Sequence, residues 1–310
     1  MPRTNNRILL VVNTLRLIGG AETQSILLAR ALKEQHKREV SFLAFEDGED
    51  FRKVIESAGM TVHVIPLSFF CGRVEKFHSL LKIIKHIRQE RIGVLIPFVA
   101  VPNKVIGKIW RWTGADFAFW NQRDEGRNLT GHSAEKRWIK NASAVVSNSV
   151  EGRDFLVETY GIASSDVTVI NNGVVIPPEP PETGIREKLG LHSLRPLVTM
   201  IANIHRFKDH ATLVEAWAAV MEGVQHESRP VLVFAGEAGA PARDLKARAF
   251  ELGLCETLCF VGHQGDAKDV HALISESVLG VFSSNLEGCP NGVLEFMAHG
   301  KAVVGTDITG

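Results

Sequence analysis

Residues 7–45 read RILLVVNTLRLIGGAETQSILLARALKEQHKREVSFLAF, and their pattern decides the class of fold. Arg7 to Val12 is a short, nearly continuous apolar run, which reads as a strand buried on both faces. Ala21 to Gln35 carries its apolar residues at helical spacing, and Val40 to Phe45 returns to a strand. Strand–helix–strand alternation with apolar strands means a parallel sheet covered by helices on both sides.

The same alternation continues outward. Strands are expected at Thr61 to Ile65, Gly93 to Pro97, Phe117 to Asn121, Ser143 to Ser147 and Val167 to Ile170, with helices at Phe51 to Ala58, Lys76 to Arg91, Asn103 to Trp112 and Gly152 to Tyr160. After Asn172 and Gly173 the chain reads VVIPPEPP over 174–181, which continues neither a helix nor a central strand. The boundary is placed there, giving domains 1–176 and 177–310. The pattern then restarts, with strands near Pro196 to Ile201, Val231 to Phe234, Leu258 to Val261, Leu279 to Phe282 and Ala302 to Val304. Helices near His210 to Met221, Pro241 to Leu252, Lys268 to Glu276 and Asn291 to His299 lie between and beside them. The expected fold is therefore α/β, with two tandem Rossmann-like domains facing each other across a cleft and ligands at the carboxyl ends of the strands. The last strand lacks the covering helix that such a domain normally adds, so the second domain reads as incomplete.

Composition narrows the function. The 310 residues carry 35 Lys plus Arg against 35 Asp plus Glu, so nothing global favours binding to nucleic acid. No apolar stretch approaches membrane-spanning length, and Ile8 to Val12 is too short for the core of a secretory signal, so a cytoplasmic address is expected. The cysteines, Cys71, Cys255, Cys259 and Cys289, form no C-x-x-C pair and indicate neither a disulfide framework nor a zinc site; Cys255 and Cys259 read as small buried residues near a strand.

Three segments can carry chemistry. Gly19 and Gly20 stand where the first strand gives way to a helix, where exposed N–H groups and the helix dipole favour an anion; a tight strand–helix turn would use the same glycines. Neither half contains G-x-G-x-x-G or a Walker sequence, which argues against a dinucleotide-linked dehydrogenase or an ATP-type loop. Arg206 and Lys208 follow the strand ending at Ile201 and place two cations where a diphosphate leaving group can be neutralised. Glu287 lies in a strand-end loop and Glu295 on the next helix, with Gly288 and Gly292 between them. Carboxylates accept hydrogen bonds from vicinal hydroxyls, so this pair suits a sugar and a ribose.

Together, Gly19-Gly20-Ala21-Glu22, Val169 to Val174, Arg206 with Lys208, and the Glu287/Glu295 pair followed by Phe296-Met297-Ala298 resemble the retaining glycosyltransferases of family 4, with their two-Rossmann glycosyltransferase-B architecture. The resemblance covers nearly the whole chain. It implies transfer of a sugar from a UDP- or GDP-sugar to a glycan or lipid-linked acceptor, in surface polysaccharide or glycolipid assembly, without a cofactor. It also implies that Arg206 and Lys208 bind the diphosphate and that Glu287 holds hydroxyls of the transferred sugar, while Glu295 binds the ribose. Gly20 and the N–H groups around Asn291, Gly292 and Val293 would meet the donor, and Gly236 lies in a loop bordering the nucleotide. No D-x-D occurs, so no metal is expected, the two cations supplying the charge.

The sequence departs from the family where many relatives carry a histidine in the first domain. Here the strand end reads Asn121-Gln122-Arg123-Asp124, and Arg123 and Asp124 are the candidates for acceptor or sugar contacts. Lys76 to Arg91 combines an apolar stripe, Phe77, Leu80, Leu81, Ile84 and Ile87, with Lys76, Lys82, Lys85, Arg88 and Arg91. Packing on the first sheet accounts for that stripe, as does a peripheral contact with anionic lipid at the inner face of a membrane. The competing functions are a nucleotide-sugar epimerase or hydrolase of the same fold, and a truncated, catalytically weak nucleotide-binding protein.

Overall fold

A computed structural model describes residues 6–16, 18–67, 72–175, 184–191, 195–264 and 267–308. They divide into two compact units, one ending at Asn172 and the other beginning at Gly173. The boundary expected at 176/177 falls among residues outside those described.

In the first unit, strands β1 (Arg7–Thr14), β2 (Glu39–Glu46), β3 (Thr61–Val64), β4 (Val94–Pro97), β5 (Phe117–Gln122), β6 (Ala144–Ser147) and β7 (Val167–Val169) pair in parallel, in the order β3-β2-β1-β4-β5-β6-β7. Helices α1 (Gly20–Glu34), α2 (Asp50–Ser57), α3 (Arg73–Gln89), α4 (Ala100–Ile109), α5 (Ser133–Asn141) and α6 (Val150–Tyr160) connect them. The two-residue period of a strand sends alternate β1 side chains to opposite layers. Ile8, Leu10 and Val12 pack with Phe42, Phe51 and Ile55 on one face. Leu9 and Val11 pack with Leu43, Ile83, Ile87 and Leu95 on the other. The apolar run at residues 8–12 therefore serves two cores at once.

The second unit repeats the plan with a smaller sheet. After α7 (Ile185–Lys188) come β8 (Leu197–Ile201), α8 (His210–Glu222), β9 (Val231–Ala235), α9 (Ala242–Glu251), β10 (Leu258–Gly262), α10 (Ala267–Glu276), β11 (Ser277–Phe282), α11 (Asn291–Ala298) and β12 (Ala302–Gly305). The parallel order is β10-β9-β8-β11-β12. Met200 and Phe234 face one layer, and Leu197 and Val233 the other. Chain direction across each sheet reverses once, between β1 and β4 in the first unit and between β8 and β11 in the second. Such switch points open a crevice beyond the strand ends, where ligands of doubly wound sheets bind.

The structure divides the apolar stripe of α3, exposes Cys255 and adds a helix, α5. The stripe on α3 is split: Ile87 is buried and Leu80 and Ile84 half-buried, with Ile83 buried beside them, but Phe77 and Leu81 are 59% and 45% exposed. With Val74 they form an outward apolar ridge at i, i+3 and i+7, so packing on the sheet explains only three of the five stripe residues. Cys255 is exposed rather than buried, because it lies in the turn before β10, while Cys259 within β10 is half-buried. Helix α5 was not anticipated. It buries only Glu135 and Ile139, and a carboxylate replaces the apolar residue that periodicity looks for. Among the described residues no helix is long and apolar enough to cross a membrane.

Candidate functional site

The second unit's switch point brings two of the anticipated side chains into contact. Beyond β8 the chain runs through Ala202 to His205 into a single 3-10 turn, Arg206–Lys208. Asp209 follows in the left-handed region at φ +43°, tolerated because its own carboxylate accepts from Thr212 N and from Thr212 Oγ1, the latter at 2.7 Å. This sharp turn directs Lys208 toward the neighbouring strand end, where Lys208 Nζ forms an ion pair with Glu287 Oε1. The two residues are 79 positions apart in sequence. The Glu287 side chain is 10% exposed, so this pair is shielded from water far more than a surface salt bridge.

The loops are tied together by further bonds. Ser284 Oγ donates to Glu287 Oε1 at 2.6 Å, and Ser283 Oγ donates to the Asp209 carbonyl at 2.8 Å. Asn285 N–H donates to the Phe207 carbonyl at 2.8 Å. Neither serine was singled out from the sequence, although their place just after a central strand beside Glu287 is a signal that could have found them. Arg206 is exposed and rests its guanidinium 4.6 Å from the Phe207 ring centre, in no ion pair among the described residues.

Glycines allow the strand ends to approach one another. A side chain at Gly236 would run into the Ala202 carbonyl, and one at Gly292 would lie 2.7 Å from the Ile201 carbonyl oxygen and the Phe282 ring. The loop after β9 and the first turn of α11, Asn291 to Val293, are thus pressed against the end of β8. Glu295, one turn further along α11, is half-buried and its carboxylate makes no hydrogen bond among the described residues. Burial pushes its carboxyl up to about 7. A carboxylate held this way gains from hydroxyl donors that a ligand supplies.

His210, directly after the Lys208–Asp209 turn, was also unanticipated. Its buried ring meets Phe234 edge-on at 4.9 Å, and neither ring nitrogen makes a hydrogen bond of ordinary geometry. Burial, with the Lys208 ammonium nearby, holds the imidazole down at about 4, so it is neutral and adds no charge at neutral pH.

The first unit has its own strand-end cluster. Gly19 N–H donates to Glu22 Oε2 at 3.1 Å, which caps α1, and Gly20 is the first residue of that helix. Burial raises the Glu22 carboxyl. Beyond β5, Arg123 bonds to Asn172 Oδ1 and lies 5.5 Å from the Phe98 ring centre. Asp124 turns inward, accepting from Gln122 Nε2 and Gly126 N–H at 2.8 Å each, and burial raises its carboxyl. Between these, Val99 caps α4 at φ +65°, ψ 172°, a conformation that strains a β-branched residue. Among the described residues no group of His, Cys, Asp or Glu could hold a metal ion.

Comparison with known proteins matches both halves. The profile described as Glycosyltransferase Family 4 covers residues 18–176, and that of Glycosyl transferases group 1 covers residues 195–310. The putative glycosyltransferase EpsD of Bacillus subtilis (strain 168) is 33% identical over 126 residues, a stretch that spans 41% of this chain and 31% of that protein. Anabaena Alr3699/HepE, solved with UDP-glucose, superposes with a TM-score of 0.79 at 19% identity, over 98% of this chain and 81% of that one. A glycosyltransferase from Rickettsia africae gives a TM-score of 0.75 at 19% identity, over 99% and 80%. The fold these structures share with the chain is the glycosyltransferase-B architecture expected from its sequence. With more than half of its length matched by the first of those profiles, and a basic and an acidic side chain meeting at the switch point of its second sheet, the chain belongs to glycosyltransferase family 4.

Proposed function

We propose that this chain moves a sugar from a UDP- or GDP-sugar to a hydroxyl of a glycan or lipid-linked acceptor, with retention at the anomeric carbon, in surface polysaccharide or glycolipid assembly. The observation that carries the reading is the shielded Lys208–Glu287 pair at the end of β8 and β11. A donor entering there meets an ammonium for its diphosphate and a carboxylate for its sugar hydroxyls. Glu295 receives the ribose hydroxyls, and the first turn of α11 offers N–H groups to the phosphates. As the bond from the anomeric carbon to the phosphate oxygen breaks, Lys208 and Arg206 balance the charge left on the diphosphate, in place of a metal. The acceptor oxygen attacks from the same face and its proton passes to a departing phosphate oxygen, so no protein nucleophile is needed. The UDP-glucose bound by HepE supports the uridine choice among donors.

We assign contacts with the acceptor or the sugar to Arg123 and Asp124. The ridge of Val74, Phe77 and Leu81, flanked by exposed Lys82, Lys85 and Arg88, supports peripheral docking on anionic lipid, where a lipid-linked acceptor resides. Sedimentation with phosphatidylglycerol vesicles tests this: Phe77→Asp with Leu81→Asp should abolish co-sedimentation, and unchanged binding contradicts it.

The reaction is tested by product analysis. Incubation with UDP- and GDP-sugars and lipid extracts should give a glycosylated acceptor whose new linkage keeps the donor's anomeric configuration. Free sugar or epimerised donor without transfer would favour the hydrolase or epimerase reading instead.

A further inference from the structure

We infer that Ser284 is the positioning residue for Glu287, holding its carboxylate in place when the donor draws Lys208 away. The inference rests on the donor-site reading above. Glu287 is anchored through one oxygen only: Oε1 accepts from both Lys208 Nζ and Ser284 Oγ, while Oε2 makes no hydrogen bond among the described residues. One oxygen is saturated and the other is presented.

The two anchors respond differently to a donor. Lys208 is a compact charge on a flexible stem, with a quarter of its side chain exposed, and a diphosphate carries more negative charge than one carboxylate. When the ammonium turns to the phosphates, it leaves Oε1. Ser284 has no such alternative. Its side chain is buried, and its carbonyl accepts from Thr306 Oγ1 at 2.7 Å, which ties the loop to the segment after β12. Ser283 on the preceding position binds the Lys208 and Asp209 carbonyls at 3.2 and 2.8 Å, so the Lys208 backbone stays in register with the same loop while its side chain moves. In the donor complex the Ser284 hydroxyl is therefore the tie that remains on Oε1, and it fixes the direction in which Oε2 meets the sugar.

This reading separates the sugar from the nucleotide. A hydroxyl that orients Glu287 strengthens binding of the sugar moiety and leaves the uridine or guanosine contacts alone. The probes are UDP, GDP and ADP, with UDP-glucose, GDP-mannose and ADP-glucose, titrated calorimetrically into the intact chain. For the conjugate that wild type binds more tightly than its parent nucleotide, Ser284→Ala should weaken the conjugate about tenfold, the order expected for one hydrogen bond to a charged group, and leave the nucleotide within about twofold. In a Glu287→Ala background, which removes the oxygen that accepts from Ser284, Ser284→Ala should have little further effect on the conjugate. Equal loss of conjugate and nucleotide would make Ser284 merely structural and overturn the inference. So would unchanged conjugate binding in Ser284→Ala, or an undiminished effect in the Glu287→Ala background. If folded wild type binds none of the six ligands, the donor-site reading itself falls, and if it binds nucleotides but never prefers a conjugate, the sugar role of Glu287 falls with the inference.

Discussion

Replacing Glu295 by glutamine should make the protein more stable and its nucleotide binding weaker. Burial lifts this carboxyl from 4.5 to about 7, and no hydrogen bond within the described residues compensates it. At 1.36 kcal/mol per pH unit, that rise corresponds to about 3 kcal/mol, lowered to about 2 to 3 kcal/mol by the partial access of water. The sign follows from linkage. Below pH 4.5 the group is protonated in both folded and unfolded chains and contributes no difference; between 4.5 and 7 the unfolded chain ionises first, and above 7 the folded chain carries the full cost of a buried charge. Glu295→Gln should therefore match wild type at pH 4 and exceed it at pH 8. At about 2 to 4 °C per kcal/mol, calorimetry should show the transition of the second unit rising by about 4 to 12 °C at pH 8. If the ionised carboxylate receives ribose hydroxyls, wild-type affinity for the nucleotide increases from pH 6 to 8, whereas the variant binds more weakly and without that slope. Equal stability of the two proteins at pH 8, or a gain that is the same at every pH, would mean that Glu295 is not held in a desolvated, unpaired state.

Three further outcomes follow from the geometry. Lys208→Met leaves Glu287 shielded from water without its cation, and denaturant titration should find a loss of about 1 to 3 kcal/mol while sugar-transfer assays lose about 100-fold or more in kcat. Val99→Gly relieves a β-branched residue at φ +65°, and after the entropy that glycine returns to the unfolded chain the net effect in urea titration should be a gain of about 1 kcal/mol; a loss would show that the Val99 side chain matters more than its backbone. Gly236→Ala drives a methyl group into the Ala202 carbonyl, so it should cost about 2 kcal/mol or more and weaken nucleotide binding as the loops after β8 and β9 separate.

Most of the fold was legible because the central strands, β1 and β9 above all, are apolar on both faces. Residues 8–12 can be read without knowing any partner, since every side chain has a core to enter. What escaped was structure held by polar groups. Helix α5 is anchored by Glu135, whose carboxyl is held down at about 2: burial opposes this, but hydrogen bonds from Lys104, Tyr160 and Thr130 outweigh it. No hydrophobic period records such a network. The site divides the same way. Lys208 and Glu287 were recognisable as residue types at strand ends, but their contact depends on the strand order β8-β11, which joins segments about 80 residues apart and cannot be read from local pattern. Ser284 and His210 were missed because a serine in a loop and a histidine at a helix start have many uses, and only geometry distinguishes them. The exposed ridge on α3 shows the reverse case, in which helical periodicity was correct but could not tell which of the apolar residues pack on the sheet, and Phe77 and Leu81 do not.

A crystal structure of the chain with whichever of UDP, GDP or ADP stabilises it most would show whether the crevice beyond β8, β9 and β11 receives the nucleotide sugar. The ribose should lie on Glu295 and the diphosphate against the first turn of α11, with Lys208 turned from Glu287 to the phosphates and Ser284 still bonded to Glu287. A nucleotide seated elsewhere, with the Lys208–Glu287 pair intact and Glu295 uncontacted, would contradict this placement of the donor.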